Sequence, residues 1–433
     1  MTSPSAAVTS AATPAPFTAD VAASAHVAPA PESPASSRHI PPLDGLRGIA
    51  ILLVLFHHYT REPVTALRID WAFWRITKTG WTGVDLFFVL SGFLITGLLI
   101  DGKRSGGALR NFYIRRALRI VPLYYAFLAV VLVLQPHLHP IDAEKMPQLV
   151  RHQLWFWTYT SNILMAHRAV WDLVPPWTVH LWSLAVEEQF YLVWPLVVLA
   201  TSPRQLRVAC VAAIAASLTM RIVWWAMSPN PVATYMLTPA RFDALAMGGL
   251  LASLAREPGG LVRLVPAAQV TLGVAGTLLV ALFAALRPSY EATQPMQTVG
   301  FTLLALFFGA ALVLAVTARP GGRPWRALSG GLLATFGRYS YAIYVLHLTV
   351  IYIVAGHGLA DDALPRLFGS QIPGMLFLVA VCATISLALA WLSWQLLERR
   401  FLQRKDRFPY PVPAPRSGSA GGAGRLPQRR SAA

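Results

Sequence analysis

Charge is what this sequence has least of. Only 13% of its 433 residues are Asp, Glu, Lys or Arg, about half the share of a soluble domain. That shortage excludes an ordinary water-soluble fold. Its counterpart is a hydrophobic content of 55%, arranged in repeated blocks of roughly 20 residues, the length that crosses a bilayer. Cysteine is also scarce. Cys210 and Cys382 both lie inside apolar runs, which excludes a disulfide framework or a paired-cysteine metal site and reads them as small core residues. There is no P-loop, dinucleotide fingerprint or HExxH motif, and no repeat of fixed period. Acidic residues are the scarcer sign, 19 against 36 basic, for a net charge of +17. In a soluble protein that excess would point to nucleic acid. Here the basic residues cluster between apolar blocks, so orientation in a membrane accounts for them and no nucleic-acid partner is expected.

What stands in place of charge is a series of about ten apolar spans, near 43–60, 82–100, 120–135, 178–200, 208–227, 241–255, 264–286, 297–317, 338–356 and 373–397. The expectation is an all-α, polytopic membrane helix bundle. Residues 1–40 are rich in Ala, Pro and Ser, with Pro14, Pro16, Pro29, Pro31 and Pro34 breaking any helix, and read as a disordered tail. They lack the basic start and apolar core of a signal peptide, so the first span is expected to do the targeting. Residues 401–433 read as a basic, mostly disordered tail. Lys103, Arg110, Arg116 and Arg119 follow the second span, Arg204, Arg207, Arg256, Arg263, Arg319 and Arg326 fill later loops on the same face, and Arg399, Arg400 and Arg404 follow the last. Excess Lys and Arg marks the cytoplasmic face, which places both termini inside. The long connection, about 136–177, is rich in Trp, His and Pro and is expected to lie along the outer surface.

Four stretches carry chemistry. In Leu43–Tyr59, LDGLRGIAILLVLFHHY, Arg47 and His58 are eleven apart and so lie within about 20° of one helical line, separated by roughly 16 Å of rise. Either both serve a site inside the bundle, or Arg47 snorkels and His58 rests at the headgroups. The second span opens GVDLFFVLSGFLIT. Its Asp85 is at a depth similar to His58 and either orients that imidazole or caps its helix, while Ser91 and Gly92 read as small residues for close helix contact. In FYIRRALRIVPLYY, Arg116 and Arg119 share one helix face, which suits phosphate or simple anchoring. In HLWSLAVEEQFYLVWP, Ser183 stands one turn above Glu187. Glu187 and Glu188 together are expensive within a span, either as proton-handling carboxylates or as a hydrogen-bond hub. Arg241 and Asp243 are expected to pair with neighbouring helices, His180 to be interfacial, and His347 to be a satisfied core group.

Taken together, LDGLRGIAILLVLFHHY, GVDLFFVLSGFLIT, FYIRRALRIVP and WSLAVEEQFYLVWP, in this order and spacing, resemble the acyltransferase-3 family of multispan bacterial membrane acyltransferases. RFDALAMG and YAIYVLH are similar to its weaker motifs, and the resemblance covers about 41–400. It implies a ten-span bundle in the bacterial inner membrane that moves an acyl group, acetyl by default, from cytoplasmic acyl-CoA to a hydroxyl of a surface or exported glycan, a lipid or an antibiotic. It matches Arg47 and His58 to the first-span arginine and histidine, Arg116 and Arg119 to the paired arginines that would hold CoA, and Glu187 to the fourth-span carboxylate. The expected catalytic set is His58, Glu187, Asp85 and Arg47, with no metal. A separate periplasmic protein is the expected form of any partner. The competing expectation is a carrier of a glycan, lipid or acyl unit.

Overall fold

Several of the apolar runs become helices that open with proline in the first turn. The computed structural model describes residues 39–103, 107–134, 144–286, 292–356 and 365–408. The expected tails fall outside the described residues at 1–38 and 409–433, as does part of the long connection at 135–143. α1 (Pro41–Tyr59) opens with two prolines in its first turn and Asp44 beside its N-terminus, where a missing N–H costs nothing and the helix dipole favours an anion. α2 (Arg68–Thr77) is short and leads through the tight turn Lys78–Thr82 into α3 (Gly83–Gly102). α4 (Ala108–Ala129) carries Pro122 in its interior.

Four short helices fill the described part of the long connection: α5 (Met146–Arg151), α6 (Gln153–Trp157), α7 (Ser161–Arg168) and α8 (Pro176–Val179). α9 (Leu181–Ala200) follows. α10 (Pro203–Met227) starts from a capping box in which the Ser202 hydroxyl accepts from the Gln205 N–H and the Gln205 side chain accepts from the Ser202 N–H. α11 (Pro231–Met236), α12 (Thr238–Leu254), α13 (Val265–Ala285) and α14 (Phe301–Val316) come next. α15 (Arg323–Ser329), α16 (Gly331–Arg338), α17 (Ser340–Gly356), α18 (Ile372–Ser393) and α19 (Arg399–Leu402) complete the chain. No strand occurs among the described residues; Leu367 and Ser370 form one isolated bridge.

The protein is a multi-pass membrane protein, all-helical among the described residues. Seven helical stretches among the described residues are long and apolar enough to cross a membrane, and eight if α16 and α17, which meet at 82°, count as one broken span. All ten apolar runs coincide with helices, but α1 and α12 fall outside that set for physical reasons. α1 is diluted by prolines, Asp44, Arg47 and two histidines. α12 is only 17 residues long and carries Arg241 and Asp243. Both are interior helices. α12 is sheathed by α3, α10 and α14, and its backbone touches α3: a Cβ on Gly92 would lie 2.0 Å from the Leu245 carbonyl, and one on Gly248 would lie 2.1 Å from that of Val89. Small residues therefore set this spacing, as expected for Gly92. α1 is held as closely, since a Cβ on Gly48 would lie 2.0 Å from the Leu333 carbonyl and one on Gly83 would lie 2.3 Å from that of Ala50.

Candidate active site

A cavity opens inside the bundle between α1, α3, α4, α9 and α17, with an empty volume of about 630 Å³ that includes its open mouth. Its polar wall is assembled from separate helices: Arg47 from α1, Ser91 from α3, Arg116 and Arg119 from α4, Glu187 and Tyr191 from α9. Arg47 also lies 3.6 Å from Asp44, one turn earlier. Arg116 sits over the Tyr191 ring, 5.4 Å from its centroid. Neither Arg116 nor Arg119 donates a hydrogen bond among the described residues. The Glu187 carboxylate accepts from the Ser91 hydroxyl at 2.5 Å, and that hydroxyl lies 3.0 Å from the Tyr191 phenol. Three guanidinium groups thus share one cavity with one carboxylate. The surplus is positive, and Arg116 and Arg119 donate to no described residue, which is the chemistry of an anion site.

The α1 helix carries the line from this cavity to a second cluster. His58 lies at the far end of the same helix as Arg47 and is not among the cavity-lining residues. Its Nδ1 is 3.0 Å from the Val54 carbonyl and 3.2 Å from Nε2 of His347 on α17. His57 is held differently, with its Nδ1 3.0 Å from the Lys78 carbonyl while the Lys78 ammonium donates to the His57 carbonyl at 2.8 Å. Its ring meets that of His58 edge-on at 4.6 Å. His180 completes the group, its ring centroid 5.0 Å from that of His347 and its Nε2 3.1 Å from the Val345 carbonyl. Between the two clusters stands Tyr344, which lines the cavity, packs 5.4 Å from the His347 ring and bonds to Ser183 at 2.5 Å.

Four of the six expected site residues, Arg47, Glu187, Arg116 and Arg119, therefore meet in one cavity, and His58 stands one layer beyond it. Asp85 is placed elsewhere. Rather than orienting His58, it accepts from Arg241 of α12 at 2.6 Å, both side chains being 1% exposed. The reason is electrostatic: a carboxylate inside a bundle takes the nearest full positive charge in preference to a neutral imidazole. The Arg241 guanidinium is further packed 3.8 Å over the Phe301 ring. Asp243 pairs with Arg221 of α10 at 2.8 Å, and Arg221 also donates to Thr302 and to the Ala240 carbonyl. These two ion pairs fasten α12 to α3 and α10. Removing one partner leaves a buried charge uncompensated, so Arg241→Leu is expected to destabilise the protein by about 3–5 kcal/mol, read as a lower melting temperature in detergent. Asp85→Asn in the Arg241→Leu background should restore part of it.

Three residues read as bland have specific surroundings. Ser91, expected only to permit close packing, holds Glu187. His180, expected at the interface, is buried at 3% exposure. His347 is a satisfied core group as expected, but its partner is the His58 imidazole. Sequence reasoning misses Arg221, although an arginine in the middle of an apolar run is itself the signal of a site or an ion pair.

This architecture has known relatives. A family model described as an acyltransferase domain, that of the acyltransferase-3 family, matches residues 40–393. The chain belongs to the acyltransferase-3 family. It is 29% identical over 329 residues to the peptidoglycan O-acetyltransferase OatA of Listeria monocytogenes, a match covering 73% of this chain and 50% of that protein. It is 27% identical over 368 residues to the O-acetyltransferase OatA of Staphylococcus aureus, covering 82% and 56%. The putative O-acetyltransferase SACOL0978 of Staphylococcus aureus is 26% identical over 382 residues, covering 84% and 57%. The chain thus spans about half the length of the curated relatives it matches. No solved structure matches it. In this acyltransferase-3 protein all four strong motifs lie on helices that line the cavity: α1, α3, α4 and α9.

Proposed function

We propose that this chain is a membrane O-acyltransferase that moves an acyl group, acetyl by family default, from cytoplasmic acyl-CoA to a hydroxyl of a cell-surface glycan. The observation that carries this reading is the cavity lined by Arg47, Arg116, Arg119 and Glu187, in which Arg116 and Arg119 donate no hydrogen bond to any described residue and Arg47 stands near the start of a helix that ends in His58. Three guanidinium groups fit the phosphates and diphosphate of a CoA nucleotide, because each offers a planar fork to an oxyanion. The 16 Å or so of helical rise between Arg47 and His58 suits a long thin acyl-bearing arm that leaves its charged head behind. In this reading α1 and α12 cross the bacterial inner membrane together with the other eight spans, and both chain ends face the cytoplasm, where the acyl-CoA is.

The chemistry balances without a further reagent. The acceptor hydroxyl gives its proton to Nε2 of His58 as its oxygen attacks the thioester carbonyl carbon. The carbon–sulfur bond breaks, the CoA thiolate takes the proton back from the imidazolium, and an ester and free CoA leave. Glu187, held by the Ser91 hydroxyl, which Tyr191 in turn contacts, is the counter-charge that lets three like-charged guanidinium groups stand together. Since one relative is named a peptidoglycan O-acetyltransferase, peptidoglycan sugar is the first acceptor to test. Protein in lipid nanodiscs, given acetyl-CoA labelled in the acetyl group and peptidoglycan fragments, should yield labelled ester and free CoA by mass spectrometry. Passage of an unmodified glycan across proteoliposomes, with no ester formed from any glycan acceptor, would replace this reading by that of a carrier.

A further inference from the structure

His347 is the group that the proposed chemistry leaves unused, and the hydrogen-bond network determines its protonation. Its Nδ1 lies 2.6 Å from the Tyr344 carbonyl. A carbonyl only accepts, so Nδ1 carries the proton and, in the neutral ring, Nε2 is a bare lone pair. That lone pair lies 3.2 Å from Nδ1 of His58, which must therefore be the donor. The Val54 carbonyl at 3.0 Å requires the same proton on the same atom. The consequence is one tautomer for His58: Nδ1 protonated, Nε2 bare. No described residue hydrogen-bonds to that Nε2, and His58 is only partly buried. His347 is itself immobilised. Its backbone carbonyl accepts from the Tyr59 phenol at 3.2 Å, and that phenol is held in turn by Ser386 at 2.7 Å. The His347 ring lies wholly buried, its centroid 4.9 Å from that of His58.

The arrangement also separates the two adjacent histidines. The Nδ1–H of His57 goes to the Lys78 carbonyl, beside the Lys78 ammonium. A positive charge on that ring would face another at close range. When His58 takes a proton at Nε2, its Nδ1–H points at a neutral imidazole whose lone pair strengthens as an acceptor for a cation. We propose that His347 is the positioning residue of the transferase. It holds His58 in the tautomer that presents Nε2 to the acceptor hydroxyl, and it stabilises the imidazolium formed during transfer while remaining neutral itself. The bare Nε2 of this dyad can accept the proton of a neutral alcohol, as a sugar hydroxyl requires. The inference rests on His58 being the base.

The test uses full-length protein in nanodiscs, with acetyl-CoA and whichever glycan acceptor gives turnover in the parent. His347→Leu removes the acceptor and should lower kcat by tenfold or more with the KM for acetyl-CoA unchanged. His347→Gln places a carbonyl oxygen where Nε2 was and should recover most of that loss. In the His58→Ala background, His347→Leu should cost nothing more, because a residue that acts through another has no effect once that other is gone. Undiminished kcat in His347→Leu would overturn the proposal, since the Val54 carbonyl alone would then suffice. Equal losses in the Leu and Gln variants, or a further loss in the His58→Ala background, would also overturn it. Should His347→Leu fail to reach the membrane, Gln against Asn carries the test, because asparagine reaches only the place of Nδ1 and should lose kcat where glutamine does not. Full activity in His58→Ala alone would instead remove the base itself, a separate failure.

Discussion

Replacing His58 by alanine is expected to reduce acyl transfer by about 10²–10⁴-fold, the range lost when a positioned general base is removed, with the protein still present in the membrane and the KM for acyl-CoA little changed. The expectation follows from where the residue sits. The proposed donor-binding groups, Arg47, Arg116 and Arg119, line the cavity on α1 and α4, and His58 is not one of them. Its loss therefore touches the chemical step and not the anion site. Folding should be largely spared, because the bonds His58 makes are those of one imidazole nitrogen to Val54 and His347, while α1 keeps its backbone ladder and its close seats against Gly80 and Gly83. His57→Ala gives the contrast. It loses one bond to the Lys78 carbonyl and should reduce transfer only several-fold. Steady-state rates of ester formation, normalised to protein in the membrane, measure both. Loss of transfer in His57→Ala with retention in His58→Ala would exchange the roles.

How far the site was legible in the sequence depended on whether chemistry or packing geometry decided each residue. Arg47, Arg116, Arg119 and Glu187 could be chosen because an ionisable group within an apolar run has few reasons to be there, and the helical period places Arg116 and Arg119 on one face. The structure brings these four together from three helices. Asp85 satisfied the same rule and has a different partner, Arg241. Depth along two antiparallel helices gives a height in the membrane but not a direction around the helix axis, and direction decides which neighbour a carboxylate meets. His347 is the satisfied core group the sequence led one to expect, but its partner was not legible. A lone histidine in a span reads as core, and only the packing of α17 against α1 turns it toward His58. Span counting met a related limit. α1 and α12 are helices where the apolar runs predicted them, yet they are the least lipid-like of the set. Their charges are matched inside the bundle, by Asp85 and Arg221 in the case of α12.

The arginine cavity carries the second large effect. Removing both guanidinium groups of α4, as Arg116→Ala with Arg119→Ala, is expected to raise the KM for acyl-CoA by about 10²-fold or more. A charge-assisted hydrogen bond contributes about 1.5–3 kcal/mol, and each tenfold change corresponds to about 1.4 kcal/mol. The two groups are available for such bonds, because neither donates a hydrogen bond to any described residue. Lysine should not rescue fully. It restores the charge but not the planar fork, so Arg116→Lys should bind the donor more weakly than the parent and better than Arg116→Ala. The ring of Tyr191, over which Arg116 lies, would also lose a flat guanidinium partner and gain a smaller cation. The competing account of these arginines is retention of positive charge at one membrane face, and it makes a different prediction. Under that account Lys and Arg are equivalent, topology shifts when both charges go, and the KM for donor stays where it was. Donor titrations on the Ala and Lys variants, with the position of an introduced surface cysteine read by membrane-impermeant labelling, separate the two. A raised KM with unaltered topology assigns the pair to the donor, and an altered topology with unaltered KM assigns it to the membrane. Arg47 sharpens the result, because it lies across the same cavity on α1 and outside the paired motif. If phosphate is what the cavity holds, Arg47→Ala should raise the same KM and the effects should combine non-additively with those of α4, as expected for groups that share one ligand.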